Sequence, residues 1–170
     1  MSAIELQIFD AALKARLARM IAANNDPSKL TAAWANDLLN SVEDVFAAEG
    51  KPRWAALSKV TLERRRKGAG SAKDKILQDS GLLAGSIQHG MRSGTDFALL
   101  STDKVYATTM HYGAKQGQFG RSRLANKHGP SKGGPLPWGN IPARPFMVLL
   151  PEYRAQIVAR GLQWVSGNGL

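Results

Sequence analysis

The residues best suited to chemistry are three histidines, His89, His111 and His128. Histidine transfers protons or binds a transition metal when carboxylates or further histidines lie at a suitable spacing. None of the three belongs to an HExxH motif or another metal-binding spacing, and no carboxylate cluster accompanies them. We therefore predict no metal site and no cofactor, and interpret each histidine as structural or solvated.

Nucleophiles and nucleotide-binding motifs are equally scarce. The chain has no cysteine, which excludes disulfides, thiolate metal sites and cysteine nucleophiles. Ser80 and Ser86 lie in no GxSxG motif, and neither GxGxxG nor GxxxxGK[ST] occurs. Carboxylates from distant positions could still form a hydrolytic pair, but no spacing indicates one. We predict no catalytic residues and expect that the protein is not an enzyme.

The charge is strongly basic and unevenly distributed. The 170 residues carry 23 Lys/Arg and 13 Asp/Glu, a net charge of +10. Residues 1–50 have a net charge of −3 and residues 51–170 one of +13, and no acid occurs between Asp103 and Glu152. Such a surface suits nucleic acid or an acidic partner. A solvated basic face that aids solubility is an equally good interpretation of the charge alone.

Two groups of cations stand out as candidate partner contacts. The first is a consecutive run, and the second lies in a Gly-rich stretch; their members are Arg64, Arg65, Arg66 and Lys67, and Arg121, Arg123 and Lys127. Side chains of a consecutive run spread around a helix axis, so only part of the run can face one phosphate backbone. Phe119 and Trp138 are too far apart for base stacking. We expect weak, salt-sensitive phosphate contact at most.

The N-terminal third is predicted to be mainly helical. Residues 3–9 alternate as a half-buried strand does, although a single helix from residue 3 is the competing interpretation. Asp10 would cap a first helix, and Asp26 with Pro27 would open a second that ends at Gly50. The predicted apolar faces are Leu13, Leu17, Met20 and Ile21 in the first helix, and Leu30, Trp34, Leu38, Val42, Val45 and Phe46 in the second.

The rest of the chain mixes short elements with loops. Ser58 would cap a helix through residue 66, and residues 68–73 read as a loop. Asp79 or Ser80 would cap a short helical turn. Its candidate core residues are Leu82, Leu83 and Ile87.

Strands are predicted mainly in the second half. Residues 86–92 and 96–101 look like a hairpin that turns at Ser93-Gly94. Residues 103–113 fit a short helix or a strand, and residues 146–150 a buried strand. A last amphipathic helix covers residues 152–165, with Tyr153, Ile157, Val158, Leu162 and Trp164 apolar.

These elements predict an α+β fold in which an antiparallel sheet of about four strands packs against several helices. Residues 1–170 are long enough for one domain that buries roughly two-thirds of its unfolded surface. A long basic loop covers residues 113–140. No apolar run reaches the roughly 20 residues that a membrane helix needs. We expect a soluble protein that is synthesised in the cytoplasm.

The segment IPARPF at residues 141–146 is predicted to be a stiff corner. Pro142 and Pro145 fix their own φ angles and hold Ile141 and Arg144 extended. Arg144 could form a forked pair with a carboxylate, either on a partner or within the chain. The internal pair is the slightly better interpretation, with Phe146 buried beside it and the corner orienting the preceding basic loop.

The order of these segments resembles the virion morphogenesis, or tail-completion, proteins of Mu-like tailed bacteriophages. The series runs FAAEGKPRWAALSKVT, a basic run, KILQDSGLLAGSI, YATTMHYG, a Gly-rich loop and IPARPF, and it covers about residues 46–146. Two positions depart from the family pattern: Arg53 precedes the tryptophan, and Tyr112 follows His111. The resemblance implies a small α+β protein of virion assembly, related to neck and tail-terminator proteins that form rings, commonly six-fold.

Read through this resemblance, several motif residues have structural roles. Trp54 would bury its ring and anchor the segment that follows the long helix. Gly81 would supply a backbone conformation that other residues resist. Tyr106 and His111 would share one side of a short helix, where core packing is favoured over a ring contact.

The resemblance leads to a specific functional expectation. The protein would act at the head–tail junction or tail end of the virion as a homo-oligomeric ring. Its partners would be its own copies, a tail tube protein, a neck or connector protein and, through phosphates only, genomic DNA; no membrane is implied. The cations named above, with Arg144, would form the partner or ring interface. The alternative is a non-specific DNA-binding or capsid-assembly accessory protein.

Overall fold

The computed structural model describes residues 11–67, 74–121, 125–126, 129–130 and 133–166. The helices in these residues are α1 (Ala11–Asn25), α2 (Ser28–Ala47), α3 (Lys59–Lys67), α4 (Leu82–His89), α5 (Ala107–Tyr112) and α6 (Pro151–Val165). The strands are β1 (Arg92–Ser93), β2 (Ala98–Leu99), β3 (Ala125–Asn126) and β4 (Gly129–Pro130). The predicted strand at 3–9 and the Asp10 cap lie outside the described residues.

Helix α2 is the central element, as its apolar stripe predicts. Leu30, Val42, Val45 and Phe46 are buried, while Trp34 and Leu38 are half-buried. Asp26 Oδ1 accepts a hydrogen bond from the Ser28 amide at 3.1 Å, and the helix begins just after Pro27. Helices α4 and α6 and the β1–β2 hairpin all contact α2. Helices α4 and α6 and the β1–β2 hairpin are therefore positioned by their contacts with this one helix.

The hydrophobic core joins residues from distant parts of the chain. Its buried members are Val42, Val45, Phe46, Trp54, Ile76, Leu83, Ile87, Ala107, Phe146 and Leu150. In α4, Leu83 and Ile87 are four residues apart and face this core, whereas Leu82 is exposed. Helical spacing explains this, because residues i and i+4 lie on one face.

The predicted sheet of about four strands is wrong for the described residues. They contain two separate two-stranded antiparallel pairs, β1 with β2 and β3 with β4. The predicted strand at 86–92 is wrong for its first part, because residues 86–89 belong to α4. The hairpin itself is present, with Ser93 opposite Ala98 and the Gly94 amide bonded to the Phe97 carbonyl at 2.9 Å. The fold is mixed, but helices supply most of it.

The predicted strand at 146–150 is also wrong, because a side chain replaces its strand partner. Ser41 of α2 donates its hydroxyl hydrogen to the Val148 carbonyl at 2.8 Å. The same hydroxyl accepts a hydrogen bond from the Leu150 amide at 2.8 Å. Buried backbone groups need hydrogen-bond partners. Ser41 meets that need from a helix, and residues 146–150 join no sheet.

A polar seam joins α2 to α6, and no sequence pattern predicted it. Trp34 Nε1 donates to the Ile157 carbonyl at 3.0 Å, and the Tyr153 hydroxyl donates to Asp44 Oδ2 at 2.8 Å. Between them, Asp37 is buried with its Oδ2 3.0 Å from Arg160 Nε. That contact lacks hydrogen-bond geometry and is an ion pair only. The positions 34, 37, 41 and 44 follow a spacing of three and four, which forms one stripe of α2.

The terminal helices expose more apolar surface than predicted. In α1, Met20 is half-buried but Ile21 is 64% exposed, and the side chains of Leu13 and Leu17 lie outside the described part. In α6, Trp164 is buried, yet Val158 and Leu162 are exposed. None of the helices in the described ranges is long and apolar enough to cross a membrane.

Candidate assembly interface

Phe146 is the point at which the sequence motifs meet. Its ring is 1% exposed and lies 5.7 Å from the ring of Phe46 and 5.1 Å, edge to face, from that of His111. The Trp54 ring packs edge-on against Phe46, also at 5.7 Å. Aromatic pairs at these distances stabilise a core beyond their buried area. Three motif segments that are distant in the chain therefore share one aromatic cluster.

Trp54 also connects two of these segments by a hydrogen bond. Its Nε1 donates to the Pro145 carbonyl at 2.9 Å, and the residue is buried. The preceding Arg53 points to solvent and pairs with Glu49 at 3.3 Å. The departure from the family pattern at Arg53 thus leaves the tryptophan's core position unaffected.

Arg144 is tied within the chain, but the predicted carboxylate partner is wrong. The residue is 7% exposed. Its Nε and Nη2 donate to the Ala55 carbonyl at 3.2 and 3.0 Å, and Nη2 reaches the Ala56 carbonyl at 3.4 Å. Burial, and then the positive charge of Arg65, lower the pKa of Arg144. Arg144 therefore fastens the corner to the segment after α2. Its predicted place in a partner or ring interface stays a prediction.

His111 accepts a hydrogen bond through one ring nitrogen. The Phe146 amide donates to Nδ1 at 3.3 Å, which requires Nδ1 to be unprotonated. Burial lowers the pKa of His111, which favours the same neutral ring. Tyr106, just before α5, is more exposed and takes no part in this cluster. The two residues predicted to share a side thus have different surroundings.

The end of α5 is joined to the IPARPF segment through backbone. Ala114 and Ile141 exchange two hydrogen bonds of 2.9 and 2.8 Å. Gly113 has a φ of +77°, and a Cβ there would lie 2.6 Å from the Ile141 carbonyl oxygen. Only glycine allows this close approach. Pro142 is exposed beside the junction.

Residues 113–141, called the arm below, pair with each other where they are described. The Phe119 amide donates to the Leu136 carbonyl, and the Leu136 amide to the Gly120 carbonyl, both at 2.8 Å. Arg121 and Pro135 form an isolated antiparallel β-bridge, and β3 pairs with β4 farther out. The described parts of the predicted loop therefore form two antiparallel legs.

The arm presents cations and aromatic rings to solvent. Lys115 and Arg121 are exposed, and Phe119 and Trp138 are 56% and 63% exposed. The segment contains no acidic residue. Arg121 Nε also donates to the Gly133 carbonyl at 2.8 Å. The predicted interface residues Arg123 and Lys127 lie outside the described residues.

The basic run on α3 does not act as one exposed group. Arg65 Nη1 donates to the Lys75 carbonyl at 2.6 Å, and its Nε lies 3.8 Å from Asp79 Oδ1. The Arg65 side chain therefore ties α3 to the next segment, and its predicted role in a partner or ring interface stays a prediction. Arg64, Arg66 and Lys67 belong to the helix, but their side chains lie outside the described part.

Gly81 directly precedes α4. Its φ of +71° is left-handed, a conformation that glycine adopts without strain from a Cβ. A Cβ there would meet no atom within 4 Å, so the backbone angle alone favours glycine. Among the described residues, no group of three or more His, Cys, Asp or Glu could hold a metal ion.

Among the comparisons with known proteins, one family model matches this chain. Comparisons with curated proteins and with solved structures give no significant match. A model of the phage virion morphogenesis family matches residues 8–166, nearly the whole chain. The match covers the aromatic cluster, the Arg144 tie and the arm together. The chain is therefore a member of the phage virion morphogenesis family.

Proposed function

We propose that this protein is a structural component of a tailed phage that completes the tail and joins it to the DNA-filled head. It acts as a homo-oligomeric ring, for which the resemblance favours six copies. Family membership supports the role in virion assembly. The position at the head–tail junction and the ring belong to the proposal.

The arm is the observation that carries this proposal. Phe119 and Trp138 place two large rings in solvent on a segment without acids. Exposed aromatic residues beside cations are typical of the centres of protein–protein contacts. The Ala114–Ile141 pair and Gly113 fix the base of the arm to the core, so its legs start from a defined place. A preorganised element loses less entropy when it binds.

The partners follow from the charge and from the position in the particle. Copies of the chain would contact one another, and the ring would lie between a tail tube protein and a neck or connector protein. If the basic segments line the channel, they contact genomic DNA through phosphates only. The role requires no cofactor, no metal and no catalysis.

Electron microscopy of lysates tests the role directly. Phage that carry a nonsense codon in this gene should give filled heads beside unattached or abnormally long tails. Normal joined particles would exclude the role, whereas absent or malformed heads would favour a capsid-assembly protein. Supplying the wild-type chain from a plasmid should restore joined particles and serves as the control.

Variants of the arm separate contact from folding. Phe119→Ser and Trp138→Ser together should leave stability within about 0.5 kcal/mol, because both rings are exposed. They should fail to rescue the nonsense phage. Val105→Ser is a matched control, since Val105 is 95% exposed but lies outside the arm. Full rescue by the arm variant would exclude the arm as the contact.

The alternative is a non-specific DNA-binding or capsid-assembly accessory protein. The net charge of +10 is the observation in its favour. It predicts DNA binding that weakens steeply with added salt. Absence of DNA binding at low salt would exclude DNA as a partner.

A further inference from the structure

A charged cleft lies where α3 meets the IPARPF segment. Its volume is about 350 Å³, and Ser58, Thr61, Arg65, Asn140 and Arg144 supply its polar lining. Two arginines, two hydroxyl-bearing residues and an asparagine thus border one space. This combination of donors suits an anion with two oxygens, such as a carboxylate.

The positive charge in this cleft is only partly balanced. Arg144 donates to backbone carbonyls through Nε and Nη2, and no described carboxylate forms an ion pair with it. Its third nitrogen, Nη1, has no acceptor among the described residues. Asp79 approaches Arg65 at 3.8 Å and is half exposed. A buried arginine normally has a charged partner, because an uncompensated buried charge is costly.

The acidic N-terminal part of the chain offers a matching group. Residues 1–50 have a net charge of −3 against +13 for the rest. Four of its described carboxylates already have partners: Asp26, Asp37, Asp44 and Glu49. Glu43 is exposed on α2 and makes no contact with a described polar group. Among the carboxylates of residues 26–50, all of which the structure describes, Glu43 is the one without such a partner.

We infer that the cleft between Arg65 and Arg144 binds Glu43 of a second copy of this chain. The inference rests on the proposed homo-oligomer and names one of its contacts. The carboxylate would accept hydrogen bonds from the guanidinium groups and neutralise Arg144. Because the cleft and Glu43 are different surfaces, each subunit offers one donor and one acceptor. Such a contact closes into a ring when the rotation between subunits allows it.

Thr61→Glu provides a test that should not damage the fold. Glutamate at this position lies four residues before Arg65 on α3, the favourable order for a helical ion pair. It also places an acid in the first turn, where the helix dipole stabilises it. The new carboxylate therefore fills the cleft from within. We expect unchanged or higher monomer stability and a self-association Kd raised roughly tenfold or more, because the charge contact is lost. Thr61→Gln has the same size without the charge and should associate as the wild type does.

Glu43→Gln tests the other side of the same contact. It should weaken self-association as Thr61→Glu does, whereas Asp96→Asn, which removes another exposed carboxylate, should not. Mixing the two interface variants is the sharper measurement, since each retains the surface that the other lacks. Sedimentation of the mixture should show 1:1 dimers but no larger species.

Specific results would overturn the inference. They are a monomeric wild type at all concentrations, normal association of Thr61→Glu, or association of Glu43→Gln equal to that of the wild type. If Thr61→Glu associates normally yet fails to rescue the nonsense phage, the cleft binds another virion protein and the second-copy assignment is wrong. None of these results alters the particle phenotype of the nonsense phage, so the role in head–tail joining is judged separately. A monomeric wild type would also contradict the proposed ring.

Discussion

Trp54 and Pro145 are 91 residues apart in the chain, yet the indole Nε1 of Trp54 lies 2.9 Å from the Pro145 carbonyl oxygen. The bond joins the segment after α2 to the IPARPF corner. Arg144 makes a second connection between the same two segments through the Ala55 carbonyl. The corner is thus held at neighbouring residues, which fixes the direction in which the arm leaves the core.

Replacing Trp54 by a residue without the indole N–H should show how much its bond to Pro145 stabilises the fold. Trp54→Phe keeps an aromatic ring but leaves the Pro145 carbonyl without its donor. We expect a loss of about 2 kcal/mol in the free energy of unfolding, from the unsatisfied carbonyl and the smaller ring. Urea denaturation measures it. Trp138→Phe is the control and should change stability by less than about 0.5 kcal/mol. Equal effects of the two variants would contradict the assigned role of the Trp54–Pro145 bond.

Gly113→Ala should disturb the base of the arm. The residue has a φ of +77°, and the added Cβ would lie 2.6 Å from the Ile141 carbonyl oxygen. Both strain and the clash should lower stability, by about 2 kcal/mol. Gly139→Ala is the control, because a Cβ there meets no atom within 4 Å. Thermal unfolding of both variants checks the prediction; an unchanged melting temperature for Gly113→Ala would contradict it.

Sequence periodicity predicted the elements whose residues face one core. The stripe of α2 is the best example, since Val42, Val45 and Phe46 recur at helical spacing and are buried. Local sequence patterns predicted the wrong element where a distant side chain supplies the hydrogen bonds of the backbone. Residues 146–150 read as a strand, but the hydroxyl of Ser41, more than 100 residues away, supplies their hydrogen bonds.

The candidate interface was predictable only in part. Proline stiffness in IPARPF indicated a fixed corner, and the interpretation of Arg144 as an internal tie was correct in kind. Its partners are the backbone carbonyls of Ala55 and Ala56, and no sequence motif marks a carbonyl as an acceptor. The hydrogen bond from Arg65 to the Lys75 carbonyl could not be predicted for the same reason, because its acceptor is also a backbone carbonyl.

The Asp37–Arg160 pair should be sensitive to the loss of one partner. Asp37 is buried, and Arg160 Nε lies 3.0 Å from its Oδ2. Arg160→Met leaves a buried carboxylate uncompensated and should cost about 3 kcal/mol. Asp37→Leu combined with Arg160→Met removes both charges and should recover part of that loss. Denaturant unfolding of the single and double variants forms the cycle; a double variant less stable than the single one would contradict the explanation.

Stability should depend on pH through His111. Burial lowers its pKa below the ordinary value of about 6.5, so the unfolded chain binds this proton more readily than the folded chain. The stability that neutral His111 contributes is fully present above about pH 6.5 and is lost as the pH falls toward the lowered pKa. For one proton, the free energy of unfolding changes by at most about 1.4 kcal/mol per pH unit.

Urea unfolding between pH 7.5 and 5.5 measures this dependence. His111→Asn retains an acceptor for the Phe146 amide but does not titrate, so its stability should fall less steeply on acidification than that of the wild type. His89→Asn, at an exposed histidine, should keep the wild-type slope. The assignment to His111 would be wrong if His111→Asn and the wild type showed the same slope.

The basic run of α3 should contain one arginine that the fold needs and two that can be replaced without loss of stability. The sequence alone predicts that replacing Arg64, Arg65 and Arg66 together by alanine leaves folding nearly intact while particle joining fails. The structure changes that expectation for Arg65, whose Nη1 bonds the Lys75 carbonyl. Arg65→Ala should cost about 1 to 2 kcal/mol, the range for a hydrogen bond from a charged group at a partly exposed site. Arg154→Ala, at an exposed arginine of α6, should cost less than about 0.5 kcal/mol.

The double variant Arg64→Ala/Arg66→Ala then isolates the role in assembly from the role in folding. We keep here the expectation drawn from the sequence, that charges on a protein surface contribute little to stability, and so the variant should unfold at the same urea concentration as the wild type. It should nevertheless fail to restore joined particles to the nonsense phage. Normal particles with the double variant would remove both arginines from the interface. A destabilised double variant would instead show that the whole run is structural, and the partner contact would then have to be sought on the arm.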